Sequence, residues 1–320
     1  MSNTPTPISE VAVITVGVAD LERSSDFFSR VFQYVTLGEG AIPDDCAPAW
    51  RRPAGLGGRY RVLSRAGERA GRLRLLEFDR PGKQIWGRYE RIQDHGLYAL
   101  NLRVEDVHET WRELLAAGVR PKSGPMRWNV GPTMVAIDSQ CWDLDGILLD
   151  VYTMEGRPEI FTPLGGRASA IETLALHVGD ADRAWRFYKG LSYGLFFDRR
   201  IDDLGAFFHL PAGIVLRDVN LIKAERSSIG RIEIVELEGL PGQPVRDLAC
   251  PPGLGLLSMT FEVGDVEVAL AHARRLGAEP LGAIYVADLQ PRGPRRCVSV
   301  YGPDGELIEF AEAPDAFRSR

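Results

Sequence analysis

The feature that most constrains this chain is that its second half repeats the landmarks of its first in a fixed register. Asp20, followed seven residues on by Phe27-Phe28, returns as Asp180, followed seven residues on by Phe187-Tyr188, an offset of 160. Asp106, Gly118 and Pro121 return as Asp265, Gly277 and Pro280, and the turn Asp145-Gly146 returns as Asp304-Gly305, each at an offset of 159. The acids Glu77 and Asp150 return as Glu236 and Glu309 at the same offset. Independent insertions do not hold such a register, so the chain is an internal duplication.

Each half divides again. Residues 11–18 are β-branched and apolar, as a buried strand requires. Asp20 then offers a helix cap, and Leu21, Phe27, Phe28, Val31 and Phe32 supply one apolar helical face. Strand-like runs follow at 60–63 and 73–78. The pattern returns at 98–104, where Asp106 and Glu109 form a capping-box spacing and Gly118 a left-handed stop with Pro121 beyond. Strands at 134–137 and 147–152 complete that unit. One strand, one helix and about three strands make a βαβββ module, and the duplication makes four.

The expected fold class is therefore α+β: four βαβββ modules in two tandem pairs, each pair a cupped mixed sheet with its helices outside. The expected boundaries are a first domain at 1–154, a Pro/Gly-rich linker at 155–170 and a second domain at 171–320.

Composition narrows the setting. A 320-residue chain that is 45% hydrophobic and 26% charged has the balance of a soluble globular protein. No apolar run approaches the roughly 20 residues that span a bilayer, and the polar N-terminus lacks the layout of a signal peptide. Cys46, Cys141, Cys250 and Cys297 are scattered, which points to reduced thiols and a cytoplasmic location. A net charge of −6 argues against a nucleic-acid partner. A small molecule is the expected partner, with no membrane association, and homodimer formation stays open.

The stretch from Tyr301 to Phe310 reads as a strand, a Pro-Asp-Gly turn and a second strand. Glu306, Ile308 and Phe310 share one face, and Leu307 and Glu309 the other. Glu309 thus sits beside a leucine, an unfavourable place for a carboxylate without a partner or a task.

Residues Val178 to Leu191, with Asp180 and Phe187-Tyr188, and the closing hairpin Gly302 to Phe310 resemble the opening and closing elements of the vicinal oxygen chelate superfamily. That superfamily includes glyoxalase I, bleomycin-resistance proteins and extradiol dioxygenases, and the resemblance covers about residues 10–313. It implies a metal site built from a His in a module's first strand and a Glu in its last. Counting seven residues back from each cap aspartate reaches Val13, Ala99, Thr173 and Ser258, and none is histidine. The acids remain at Glu77, Asp150, Glu236 and Glu309.

Imidazole supplies much of the affinity of iron, manganese and zinc sites, so no metal cofactor is expected. The alternative is one divalent metal, iron or manganese, on His177, His209 and Glu309, with His209 read into a second strand of its module. The expected catalytic residues are Glu309, His177 and Glu236. Thr173, Ser258, His209, Tyr301, Glu77 and Asp150 are the expected pocket residues. Two carboxylates in one cavity cannot both ionise freely, which suits acid–base chemistry. The resemblance then implies a metal-independent lyase, isomerase or ring-opening enzyme acting on an aromatic or carbonyl compound. A metal-free ligand-binding protein is the alternative, and a metal-dependent ring-cleaving dioxygenase ranks third.

Overall fold

The computed structural model describes residues 7–46, 48–86, 91–131, 134–156, 161–202, 204–223, 228–288 and 293–313. Within them four modules follow one another. The first comprises β1 (Ile8–Val18), α1 (Leu21–Phe32), β2 (Val35–Ala41), β3 (Gly58–Ser64) and β4 (Arg72–Phe78). The second comprises β5 (Gly96–Arg103), α2 (Val107–Ala116), β6 (Arg120–Gly131), β7 (Met134–Trp142) and β8 (Leu148–Glu155). The third comprises β9 (Thr173–Val178), α3 (Ala181–Gly190), β10 (Gly194–Ile201), the single turn α4 (Gly205–Phe208), β11 (Val215–Ile222) and β12 (Arg231–Glu238). The fourth comprises β13 (Gly255–Val263), α5 (Val266–Arg275), β14 (Glu279–Asp288), β15 (Pro294–Tyr301) and β16 (Leu307–Glu312).

The cap aspartates act as their spacing implies. Asp20, Asp106, Asp180 and Asp265 accept from the backbone N–H groups of Arg23, Glu109, Arg183 and Val268, satisfying donors that a helix start leaves open. Gly118 and Gly277 follow α2 and α5 with φ of +86° and +96°, the left-handed turn that glycine adopts without steric cost.

The four modules form two cupped eight-stranded mixed sheets, but not by pairing in chain order. The outer modules share one sheet, ordered β14-β15-β16-β13-β1-β4-β3-β2. The inner modules share the other, ordered β10-β11-β12-β9-β5-β8-β7-β6. Each sequence half was expected to complete its own sheet; instead each contributes one module to both. The segment before β9 shows why. Ser169 N–H donates to Arg103 O at 2.8 Å and Glu172 N–H donates to Asn101 O at 3.0 Å. The chain is thus already antiparallel to β5 when β9 begins, and the third module docks on the second. β1 and β13 then meet as the seam of the other sheet.

The largest core lies between the sheets' helix-bearing faces, where Ile14, Val16 and Phe28 pack with Leu100, Leu176, Phe261 and Phe310. The hairpin aspartates staple the sheets together. Asp145, between β7 and β8, accepts from Ala19 N–H at 2.9 Å, Ser24 Oγ at 2.5 Å and Arg23 Nη2 at 3.1 Å. Asp304, between β15 and β16, accepts from Gly179 N–H at 2.9 Å and Arg183 Nη2 at 2.7 Å. Both are buried.

Candidate active site in the inner sheet

Side chains alternate across a strand, so residues two apart on the strands flanking each seam line its cup. In the outer sheet the inward positions carry Thr15 on β1, Arg74 on β4, Thr260 on β13 and Glu309 on β16. Arg74 Nη2 donates to Glu309 Oε1 at 3.0 Å and to Thr15 Oγ1 at 2.7 Å. Glu309 also accepts from Trp50 Nε1 at 3.0 Å, Thr260 Oγ1 at 3.0 Å and Tyr285 OH at 2.6 Å. Burial alone raises a carboxyl's pKa, but here the Arg74 charge and these hydrogen bonds outweigh it and hold Glu309 below its ordinary value. The segment carrying Ile42, Cys46, Ala49, Trp50 and Leu56 packs into this cup with Tyr60, Leu257 and Ala311. The Trp50 ring lies 4.8 Å from the Arg74 guanidinium carbon. This cup is filled.

The inner sheet's cup is open. It holds a cavity of about 990 Å³, its open mouth included. Trp128, Phe161, Phe196, Phe197 and Phe208 form apolar walls. Against them stand the carboxylates Asp138 on β7, Asp150 on β8, Asp218 on β11 and Glu233 on β12, with the cations Lys122, Arg199 and Arg231. Glu233 occupies the place in the third module that Arg74 holds in the first, and Asp150 the place of Glu309. A buried cation–anion pair in one cup is therefore an acid–acid pair in the other.

Each of these carboxylates meets one donor that is not itself an acid, and Asp218 and Glu233 also hydrogen-bond each other. Trp128 Nε1 donates to Asp138, Gln140 Nε2 to Asp150 Oδ2 at 2.9 Å, Arg199 Nη2 to Asp218 Oδ2 at 3.3 Å, and Asn101 Nδ2 to Glu233 Oε2 at 2.6 Å. Asp150 Oδ1, Asp218 Oδ1 and Asn101 Oδ1 receive none. Burial first, then the neighbouring Glu233 charge, pushes Asp150 up to about 7, against the pull of Gln140 and Lys122. Burial likewise raises Asp138, with the Asp150 charge adding to it, and raises both Asp218 and Glu233. Lys122, which donates to Gln140 Oε1, is pushed down to about 8 by burial, Asp150 opposing.

His177 lines the cavity as its spacing from Thr173 implies. Its ring stacks on Tyr98 with centroids 3.8 Å apart, and Nδ1 lies 2.8 Å from Ile92 O. A carbonyl only accepts, so Nδ1 carries the proton and Nε2 is the free acceptor. Burial pushes this imidazole down to about 3, so it is neutral at physiological pH.

The remaining expected site residues are scattered. Thr173 and Asp150 line the cavity with His177, whereas Glu309, Ser258 and Tyr301 belong to the other sheet. Tyr301 OH accepts from Arg51 and its ring lies under Arg246. Glu236 points to the helix side, accepting from Ala181 N–H at 3.1 Å, and Glu77 pairs with Arg59 at 2.6 Å. The grouping of Glu309, His177 and Glu236 in one cavity is thereby corrected: crossed module pairing puts Glu309 in the other cup, and the pleat turns Glu236 outward. His209 is exposed at the end of α4, not in a strand, with Nε2 3.3 Å from Ser123 Oγ, so His177, His209 and Glu309 do not form one ligand set. Among the described residues no group of three or more His, Cys, Asp or Glu is placed to hold a metal ion. Glu233, Asp138, Asp218 and Asn101 carry no motif spacing that reveals them.

Residues 10–151 match the model of the Glyoxalase/Bleomycin resistance protein/Dioxygenase superfamily. Residues 10–151 thus carry a domain of that superfamily. Glyoxalase I from Zea mays is similar over 96% of this chain and 93% of its own, with a TM-score of 0.64 at 15% identity. A putative dioxygenase from Bacillus subtilis subsp. subtilis str. 168 is similar over 98% of this chain and 88% of its own, with a TM-score of 0.59 at 12% identity. At such identities the likeness is one of fold. No curated protein matches the chain in sequence. No helix is long and apolar enough to cross a membrane among the described residues.

Proposed function

We propose that the chain is a small-molecule enzyme of the vicinal oxygen chelate superfamily that works in the inner cup by acid–base chemistry, with Asp150 as the group that gives or takes the proton. The observation that carries this reading is Asp150 itself. It is a cavity-wall carboxyl with one oxygen fixed by Gln140 and the other without a donor, and it titrates near neutrality. Lys122 fixes Gln140 and Gln140 fixes Asp150, so the acid is oriented before any substrate arrives.

The donor set does not fit an iron, manganese or zinc ion. The first-strand positions are Ala99 and Thr173, so His177 Nε2 is the one imidazole nitrogen lining the cup among the described residues, and no group of three or more His, Cys, Asp or Glu is placed there to hold a metal ion. No step is assigned to a metal. In the outer cup the Arg74 guanidinium is already the counter-charge of Glu309.

A substrate with an aromatic or carbonyl body fits between the Trp128 and Phe197 walls, and Asp150 then removes a proton next to the carbonyl or protonates a leaving oxygen. The reading is tested by following deuterium exchange at carbons next to the carbonyl in a panel of aromatic ketones and aldehydes in D2O. The wild-type chain exchanges a panel member, and Asp150→Asn slows it by about 10²-fold or more, the usual worth of a placed acid–base group. Exchange unchanged in Asp150→Asn, or abolished by a chelator, contradicts it.

A further inference from the structure

The two cups differ in how far their acids are satisfied, and that difference specifies a ligand. Glu309 in the filled cup takes four side-chain donors, from Trp50, Arg74, Thr260 and Tyr285. In the open cup Asp138, Asp150, Asp218 and Glu233 take one donor each from a neighbouring Trp, Gln, Arg or Asn, and Asp218 and Glu233 also hydrogen-bond each other. A carboxylate has about four acceptor positions, so unused capacity is concentrated where the cavity is.

The cup's own cations do not fill it. Arg231 is spent on Ser228 O, Asn220 Oδ1 and Tyr152 OH, with Glu172 3.6 Å behind it. Arg199 is tied to Val130 O at 2.6 Å as well as to Asp218 and lies 4.2 Å from the Trp128 ring centroid. Asp218 is 3% exposed and lines the cavity with Oδ1 unpartnered. A buried acceptor without a donor is costly, and a ligand that brings donors removes that cost. Asp150 Oδ1, Asp218 Oδ1, Asn101 Oδ1 and His177 Nε2 are open acceptors against the open buried donor Arg199 Nε, so the larger open capacity of the cup is for ligand donors.

We infer that the inner cup takes an organic cation, an amine or amidine on an aromatic or alkyl body, with its N–H donors toward Asp150 and Asp218 and its body against Trp128, Phe196 and Phe208. A cation brought into the cup favours the ionised form of these carboxyls, which burial otherwise keeps protonated, and aromatic faces favour a cationic neighbour. This inference rests on the inner cup being the working site and names the class of compound it receives.

The test is calorimetric titration of the full chain with benzamidine, benzylamine, benzamide and benzoate. Benzamidine and benzylamine bind at least tenfold more tightly than benzamide and benzoate, and Asp218→Asn weakens the two cations at least tenfold. Asp150→Asn repeats the measurement should Asp218→Asn fail to fold. Benzamide or benzoate binding as well as benzamidine, cation binding unchanged in the folded variant, or no binding of any probe overturns the inference. A benzoate preference alongside deuterium exchange that still needs Asp150 rejects the ligand class and leaves the acid–base reading standing.

Discussion

Arg74 Nη2 lies 3.0 Å from Glu309 Oε1 across the seam of the outer sheet, with both side chains almost completely enclosed. Removing one partner of such a pair strands a buried charge. Arg74→Met is expected to destabilise the fold by about 3–5 kcal/mol, whereas Arg74→Met with Glu309→Leu recovers most of the loss. Urea denaturation of both variants checks this, and a single variant no weaker than the double contradicts it.

His177 and Ile92 O define a second prediction. Burial lowers this imidazole to about 3, so its ring resonances stay those of a neutral, Nδ1-protonated histidine from pH 8 to pH 5. A ring nitrogen titration near pH 6.5 in NMR spectra is the opposite result.

Asp145 is the staple between the second module's hairpin and the start of α1. Asp145→Ala leaves the buried Ser24 hydroxyl and the part-buried Ala19 N–H without their partner, at a cost of about 1–3 kcal/mol. The same change at Asp304 acts on the turn into α3. Similar losses of denaturation midpoint in both variants, and none in Asp26→Ala on exposed α1 surface, are expected.

Asp150 makes the fold pH-sensitive with a defined sign. Its pKa is raised from an unfolded value of about 3.9 to about 7, so the folded state holds the proton more tightly. Its contribution to stability is full below pH 4 and is lost as pH rises to 7. Asp150→Asn removes that loss, so the variant gains on the wild type by a few kcal/mol, to order of magnitude, between pH 4 and pH 8. Denaturation at those two pH values measures it.

How much of this was legible in the sequence follows from what sets each feature. The caps at Asp20, Asp106, Asp180 and Asp265 are local, and local chemistry alone places them. The four modules follow from repetition. Module pairing was not legible, because nothing in β1 states whether β5 or β13 will lie beside it; the hydrogen bonds of Ser169 and Glu172 to β5 decide that. The acids show a subtler limit. The 159-residue register carries Glu77 onto Glu236, and equally Arg74 onto Glu233 three residues earlier. Only the pleat tells them apart: Leu73 and Leu75 face the helices with Glu77, while Arg74 faces the cup. Lys122, Asp138, Gln140 and Asp218 come from the modules' middle strands with no fixed spacing, and only the curled inner sheet assembles them.

The claim at the centre of this account is that a carboxyl in the inner cup, not Glu309, is the group poised near neutral pH. It is tested by titrating the side-chain carboxyl carbons of 13C-labelled aspartate in the wild type and in Asp150→Asn. One resonance with a midpoint near pH 7 should vanish in the variant while Asp143, raised by burial and Asp145, keeps its own, and Asp138, relieved of the Asp150 charge, moves down. A wild-type spectrum in which the resonance lost on Asp150→Asn titrates below pH 5 contradicts the account.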